Sequence, residues 1–119
     1  MKLEGEGVLL RIFIGESDRY GGRPLSEVIV GAAREAGLAG ATAWKGFMGF
    51  GAHSRLHTAR VLRLSTDLPV IIEIVDRQEA IEAFLPRLDG LVREGLVTLE
   101  RADVRLYRAP PGDPSSAAP

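Results

Sequence analysis

The sequence predicts an α+β domain in the order β-α-β-β-α-β, a sandwich of two helices laid on one face of an antiparallel sheet. Three observations carry this expectation. Residues 8–14 (VLLRIFI) and 70–75 (VIIEIV) are β-branched, apolar runs of strand length. Apolar residues at helical spacing follow each run. Each helical stretch then gives way to a further segment of strand character, at 41–50 and at 96–107.

Taken in order, residues 15–22 form a polar turn after the first strand, and Pro24 suits the first turn of a helix because its φ is already fixed there. Leu25, Val28, Ile29, Ala32, Ala33 and Ala36 then make one apolar stripe, and Gly37 is placed to close the helix in a left-handed conformation. Residues 41–50 read as a second strand entering a glycine-rich loop, and residues 58–64 (TARVLRL) as a strand or loop arm. After the strand at 70–75, Asp76 and Glu79 have capping-box spacing for a second helix. Ile81, Phe84, Leu85, Leu88, Leu91 and Val92 form its apolar face, and Pro86 is expected to kink or restart it. Gly95 ends the helix, and residues 96–107 (LVTLERADVRLY) make the last strand. This is the ferredoxin-like arrangement. Both central strands are apolar on both faces while the helices cover only one, so subunits are expected to cover each other's bare face.

The chain has 119 residues, room for one domain, expected over 1–108. Residues 109–119 carry four of the seven prolines with Ser, Gly and Ala, and are expected to be a disordered tail. Fifteen basic residues against 16 acidic ones give a net charge of −1, so no global pull toward nucleic acid follows. Cysteine is absent, which excludes disulfides, a thiolate nucleophile and a Cys-based metal site. The acidic start lacks signal-peptide character, and no apolar run approaches the roughly 20 residues that span a bilayer. A soluble cytoplasmic protein with no membrane insertion is expected.

Charge is spread unevenly. No Asp or Glu occurs from residue 36 to residue 66, where a share of 16 in 119 would place about four. The same window holds Lys45, Arg55, Arg60, Arg63, His53 and His57 around the run KGFMGFGAHSR. Gly46, Gly49 and Gly51 permit close approach of backbone N–H groups to a ligand, and Lys45 or Arg55 can neutralise a phosphate or carboxylate. Trp44, Phe47 and Phe50 are able to stack on a base or to fill a core or interface. His53 and His57, four residues apart, are the one pair with metal-ligand spacing, but no carboxylate or Cys adjoins them. Ser54 sits between His53 and Arg55 without an orienting acid, so no catalytic constellation is expected and the chain reads as a non-enzyme.

Residues 40–47 (GATAWKGF), 49–58 (GFGAHSRLHT) and 68–76 (LPVIIEIVD) resemble the domain-of-unknown-function family numbered 190, as do 15–18 (GESD), Pro24-Leu25 and 94–98 (EGLVT). That family is similar to the PII nitrogen-regulatory proteins, trimers of ferredoxin-like subunits that bind adenine nucleotides between subunits and signal through a long loop. The resemblance implies a homotrimeric, PII-like signalling protein whose loop is at about 46–63. It also implies a small anionic metabolite as regulatory ligand at the intersubunit clefts, an adenine nucleotide (AMP, ADP, ATP or a cyclic nucleotide) being the expected one, with no cofactor required. Lys45-Gly46-Phe47 matches the PII Lys-Gly-Phe at the loop base, and Thr42 also has a PII equivalent. The ligand-binding set is therefore Thr42, Lys45, Gly46, Phe47, Gly49, Gly51, His53 and Arg55. The second Gly-Lys-rich turn of PII is replaced here by Arg93-Glu94-Gly95-Leu96-Val97-Thr98, which leaves the choice of nucleotide open. The loop would act on an unidentified partner protein, a membrane transporter or channel being the kind an acid-free loop suits. Two alternatives stand beside this reading: a ligand-free interaction subunit, and a divalent-metal binder using His53 and His57.

Overall fold

The computed structural model describes residues 3–51 and 67–110. Its elements are β1 (Gly5–Gly15), a two-rung hairpin of β2 (Arg19–Tyr20) and β3 (Arg23–Pro24), α1 (Leu25–Glu35), β4 (Thr42–Lys45), β5 (Pro69–Asp76), α2 (Gln78–Leu91) and β6 (Leu96–Val104). The main sheet has the order β4-β5-β1-β6 with every neighbouring pair antiparallel. That is the ferredoxin-like topology, with the small hairpin inserted between β1 and α1.

The pleat sorts β1 and β5 into two faces. Leu10, Ile12 and Ile14 of β1 and Val70, Ile72 and Ile74 of β5 are buried against Leu25, Ile29, Ala32 and Ala33 of α1 and Ile81, Phe84, Leu88 and Leu91 of α2. Each such side chain taken fully out of water contributes roughly 1.5–3 kcal/mol, so this layer is the main favourable term set against the chain's conformational entropy.

Both helices follow the apolar stripes, but their ends refine the expectation. Pro24 is the N-cap of α1 and not its first residue. Gly37 takes φ +79, and the amides of Gly37 and Leu38 donate to the carbonyls of Arg34 and Ala33, a Schellman closure. Asp76 does not cap α2. The N-cap is Arg77, with no side-chain cap bond, and fully buried Asp76 instead accepts from the amides of Arg77 (2.7 Å) and Ala39 (2.8 Å). Pro86 does not break α2, which runs through it from Gln78 to Leu91. Glu82, whose carbonyl loses its donor, lies on the exposed face, where water can serve that oxygen.

The last strand stops at Val104, short of the expected 107, because its ladder partner there is Gly5, where β1 itself begins. The chain then crosses toward α1's end: the Tyr107 hydroxyl donates to the Ala39 carbonyl, and the Tyr107 amide to Glu4 Oε2. The strand or loop arm expected at 58–64 and the tail residues 111–119 lie outside the described residues.

Candidate functional site

The register places Gly15 opposite Pro69, Lys45 opposite Val70 and Phe13 opposite Leu96. One end of the sheet therefore gathers the loop after β1, the exit from β4, the entry to β5 and the turn before β6. Backbone bonds tie these together. The Gly46 amide donates to the Pro69 carbonyl and the Glu16 amide to the Leu68 carbonyl, both at 2.8 Å. The Ser17 amide donates to Asp67 Oδ1, and the Gly15 amide to Asp18 Oδ2. The result is a neck that clamps both arms of the long loop.

Lys45 lies at this neck, and its Nζ donates to Glu16 Oε2 at 2.6 Å, with both side chains about half exposed. The run without acids between 36 and 66 is thus answered in space at Lys45, by a carboxylate 29 residues earlier in the chain. Glu16 is the residue that reading the sequence missed as part of the site, because nothing in its spacing announces the contact.

The glycines divide in role. A Cβ on Gly46 would stand 2.9 Å from Pro69 Cγ, and one on Gly49 3.0 Å from the same atom, so both are small because Pro69 packs on them. The Gly46 amide is committed to Pro69. Phe47, Met48 and Phe50 stand out from the neck, with Phe47 87% and Phe50 72% exposed. Thr42, three residues before Lys45, belongs to the opposite face of β4 and pairs with Glu73 across the sheet's open side. The structure thus brings Lys45, Gly46, Phe47, Gly49 and Gly51 to one end and leaves Thr42 on another face. His53, Arg55 and His57 lie outside the described residues. Among the described residues no three His, Cys, Asp or Glu side chains are grouped to hold a metal.

Two concavities flank the neck and the sheet. One, of about 510 Å³, lies between the hairpin and the end of α2, where Tyr20, Leu25, Arg93 and Glu94 line it. The other, of about 560 Å³, opens on the helix-free face among Leu9, Thr42, Glu73, Val75 and Tyr107. A row of cross-strand neighbours, Trp44, Ile71, Phe13 and Leu96, also spans that face from edge to edge. Beside it Arg11 donates to Glu73 Oε2 (2.8 Å) and Glu100 Oε2 (3.0 Å). The hydrogen bond to Glu73, with the charges of both carboxylates, raises the Arg11 pKa further against the opposing cost of desolvation.

Comparison with known proteins agrees with this architecture. The family model DUF190, described as "Uncharacterized ACR, COG1993", matches residues 7–104. A UPF0166 protein of Aquifex aeolicus is 36% identical over 96 residues, 81% of this chain and 90% of that one. A UPF0166 protein of Methanocaldococcus jannaschii is 34% identical over 101 residues, 84% and 91% of the two chains. Among solved structures, CPII from Thiomonas intermedia K12, bound to ADP, AMP and acetate, superposes with a TM-score of 0.53 at 19% identity, covering 87% of this chain and 92% of that one. The fold is PII-like. Among the described residues no helix is long and apolar enough to cross a membrane.

Proposed function

The chain belongs to the DUF190 family, and on that footing we propose that it is a PII-like regulator, not a catalyst, that binds an adenine nucleotide in the cleft between subunits beside the loop neck and signals through the loop at about 46–63. The observation that carries this reading is the neck itself: backbone bonds clamp both arms of the loop where Lys45 ends β4, and the exposed Phe47 and Phe50 follow it within five residues. An ammonium and aromatic rings offer what a phosphate and a purine need. The CPII structure, of similar fold, was solved with ADP and AMP, which supports the choice of nucleotide. Occupancy would bias the loop between conformations with different affinity for a partner protein, an acid-free loop suiting an acidic or transporter surface. The test is a melting-temperature panel of AMP, ADP, ATP and a cyclic nucleotide. A ligand that binds only the folded protein must raise the melting temperature. Lys45→Ala is expected to lose most of that rise. If no adenine nucleotide at millimolar concentration shifts it, the ligand reading fails.

The assembly we propose is a homotrimer closed by the helix-free face. Trp44 and Leu96, at the two ends of the apolar row, are 49% and 55% exposed in the single chain, and a contiguous apolar strip of this kind marks an interaction surface. Leu96→Glu adds a charge at the strip's edge, where the side chain of the single chain is 55% exposed, so folding should persist while assembly is lost. Sedimentation is expected to show a trimer for the natural chain and a monomer for Leu96→Glu. A natural chain that sediments as a monomer contradicts the assembly.

A further inference from the structure

We propose that Glu16 is a built-in counter-anion for Lys45, with which the phosphate of a ligand must compete for the ammonium; the inference rests on the nucleotide reading above. The protein has 13 arginines and only two lysines, and Lys45 is the lysine within the described residues. An ammonium is a compact, rotatable donor suited to a phosphate as a point charge. One of its three N–H donors goes to Glu16 Oε2 at 2.6 Å, and that carboxylate offsets the positive charge. A ligand phosphate that takes the full charge of Lys45 competes with this carboxylate for it.

The pair is built to exchange. Both side chains are about half exposed, where a single ion pair changes an equilibrium constant only about two- to fivefold. Displacement needs side-chain rotation alone, because the backbone of the Glu16 loop stays anchored through the Glu16 amide on Leu68 and the Ser17 amide on Asp67. The freed carboxylate turns to water. An uncharged nucleoside, which cannot replace Glu16 on the ammonium, leaves the pair intact and gains nothing from Lys45. A phosphorylated one takes the ammonium over. Glu16 therefore holds down the affinity of every anion that takes the ammonium and leaves that of a neutral ligand untouched, and the same loop that carries it touches the returning arm of the long loop at Asp67 and Leu68.

The experiment is a calorimetric titration of ADP, AMP and adenosine into the full-length natural protein and into Glu16→Gln, at low and high ionic strength. Removing the internal competitor is expected to tighten ADP and AMP about two- to fivefold at low salt, with adenosine unchanged and the difference shrinking as salt rises. Equal affinities in the two proteins, weaker nucleotide binding in Glu16→Gln, or an equal gain for adenosine would overturn the proposal while leaving the nucleotide reading in place. Absence of nucleotide binding in both proteins would remove the two together.

Discussion

Gly95→Ala is expected to destabilise the protein by about 2–6 kcal/mol, read by denaturant unfolding at fixed protein concentration. Gly95 sits in the turn that carries the chain from α2 into β6 with φ +154, a conformation side chains rarely adopt. A Cβ there would stand 2.5 Å from the Phe13 carbonyl oxygen, with Val92 Cγ1 at 3.2 Å and Ile14 Cγ2 at 3.4 Å. The offending atom is backbone of the central strand β1, held by ladders on both sides, and it cannot step aside. Backbone strain of about 1–3 kcal/mol and overpacking of about 1–3 kcal/mol add up to the stated range. Gly90→Ala is the control. It lies on the exposed side of α2 with nothing within 4 Å of a new Cβ, so it should stabilise by about 0.4–1 kcal/mol. Equal effects at the two glycines would show that the Gly95 turn is not the constraint described here.

Asp76→Ala is expected to cost about 2–4 kcal/mol in the same measurement. Asp76 is fully buried, and its two carboxylate oxygens serve two different segments, the amide that opens α2 and the amide of Ala39 in the connection from α1 to β4. Hydrogen bonds to a charged group are worth about 1.5–3 kcal/mol, and alanine leaves both donors unmet. The connection it anchors leads directly into β4 and hence to Lys45, so the loss should also loosen the neck. A cost under about 0.5 kcal/mol would mean that water replaces the carboxylate freely, contrary to its burial.

The central strands and both helices were legible in the sequence because β-branched runs and 3.6-residue spacing are local properties that packing then rewards. Gly37 was legible for the same reason: a helix end needs a left-handed residue wherever the helix goes. The errors came where a distant partner decides. Asp76 and Glu79 have the spacing of a capping box, but the carboxylate is drawn to Ala39, 37 residues away, which no local pattern contains. Pro86 is placed to kink or restart the helix; α2 runs through it without a restart, with the proline on its solvent side. The hairpin between β1 and α1 was written in Gly21-Gly22, both at positive φ, and could have been read as a two-residue turn.

The candidate site was legible in composition and not in geometry. The acid-free, glycine-rich run begins at the end of the sheet where the neck forms, and Lys45 lies at that neck. Its apparent electrostatic openness does not survive folding, because Glu16 comes from another element. Nor is a glycine's purpose readable from the glycine: Gly46 and Gly49 are small for the sake of Pro69, which the sequence places more than twenty residues away in the first case and exactly twenty in the second.

The central claim is that the loop neck of this PII-like fold takes an adenine nucleotide. Calorimetric titration of ADP into the full-length protein, with sedimentation of the same sample, tests it most directly. The account predicts saturable binding, one ADP for each subunit of a trimer, that weakens in Lys45→Ala. A titration without binding heat at any temperature tried, up to millimolar ADP and with no accompanying rise in melting temperature, would contradict it.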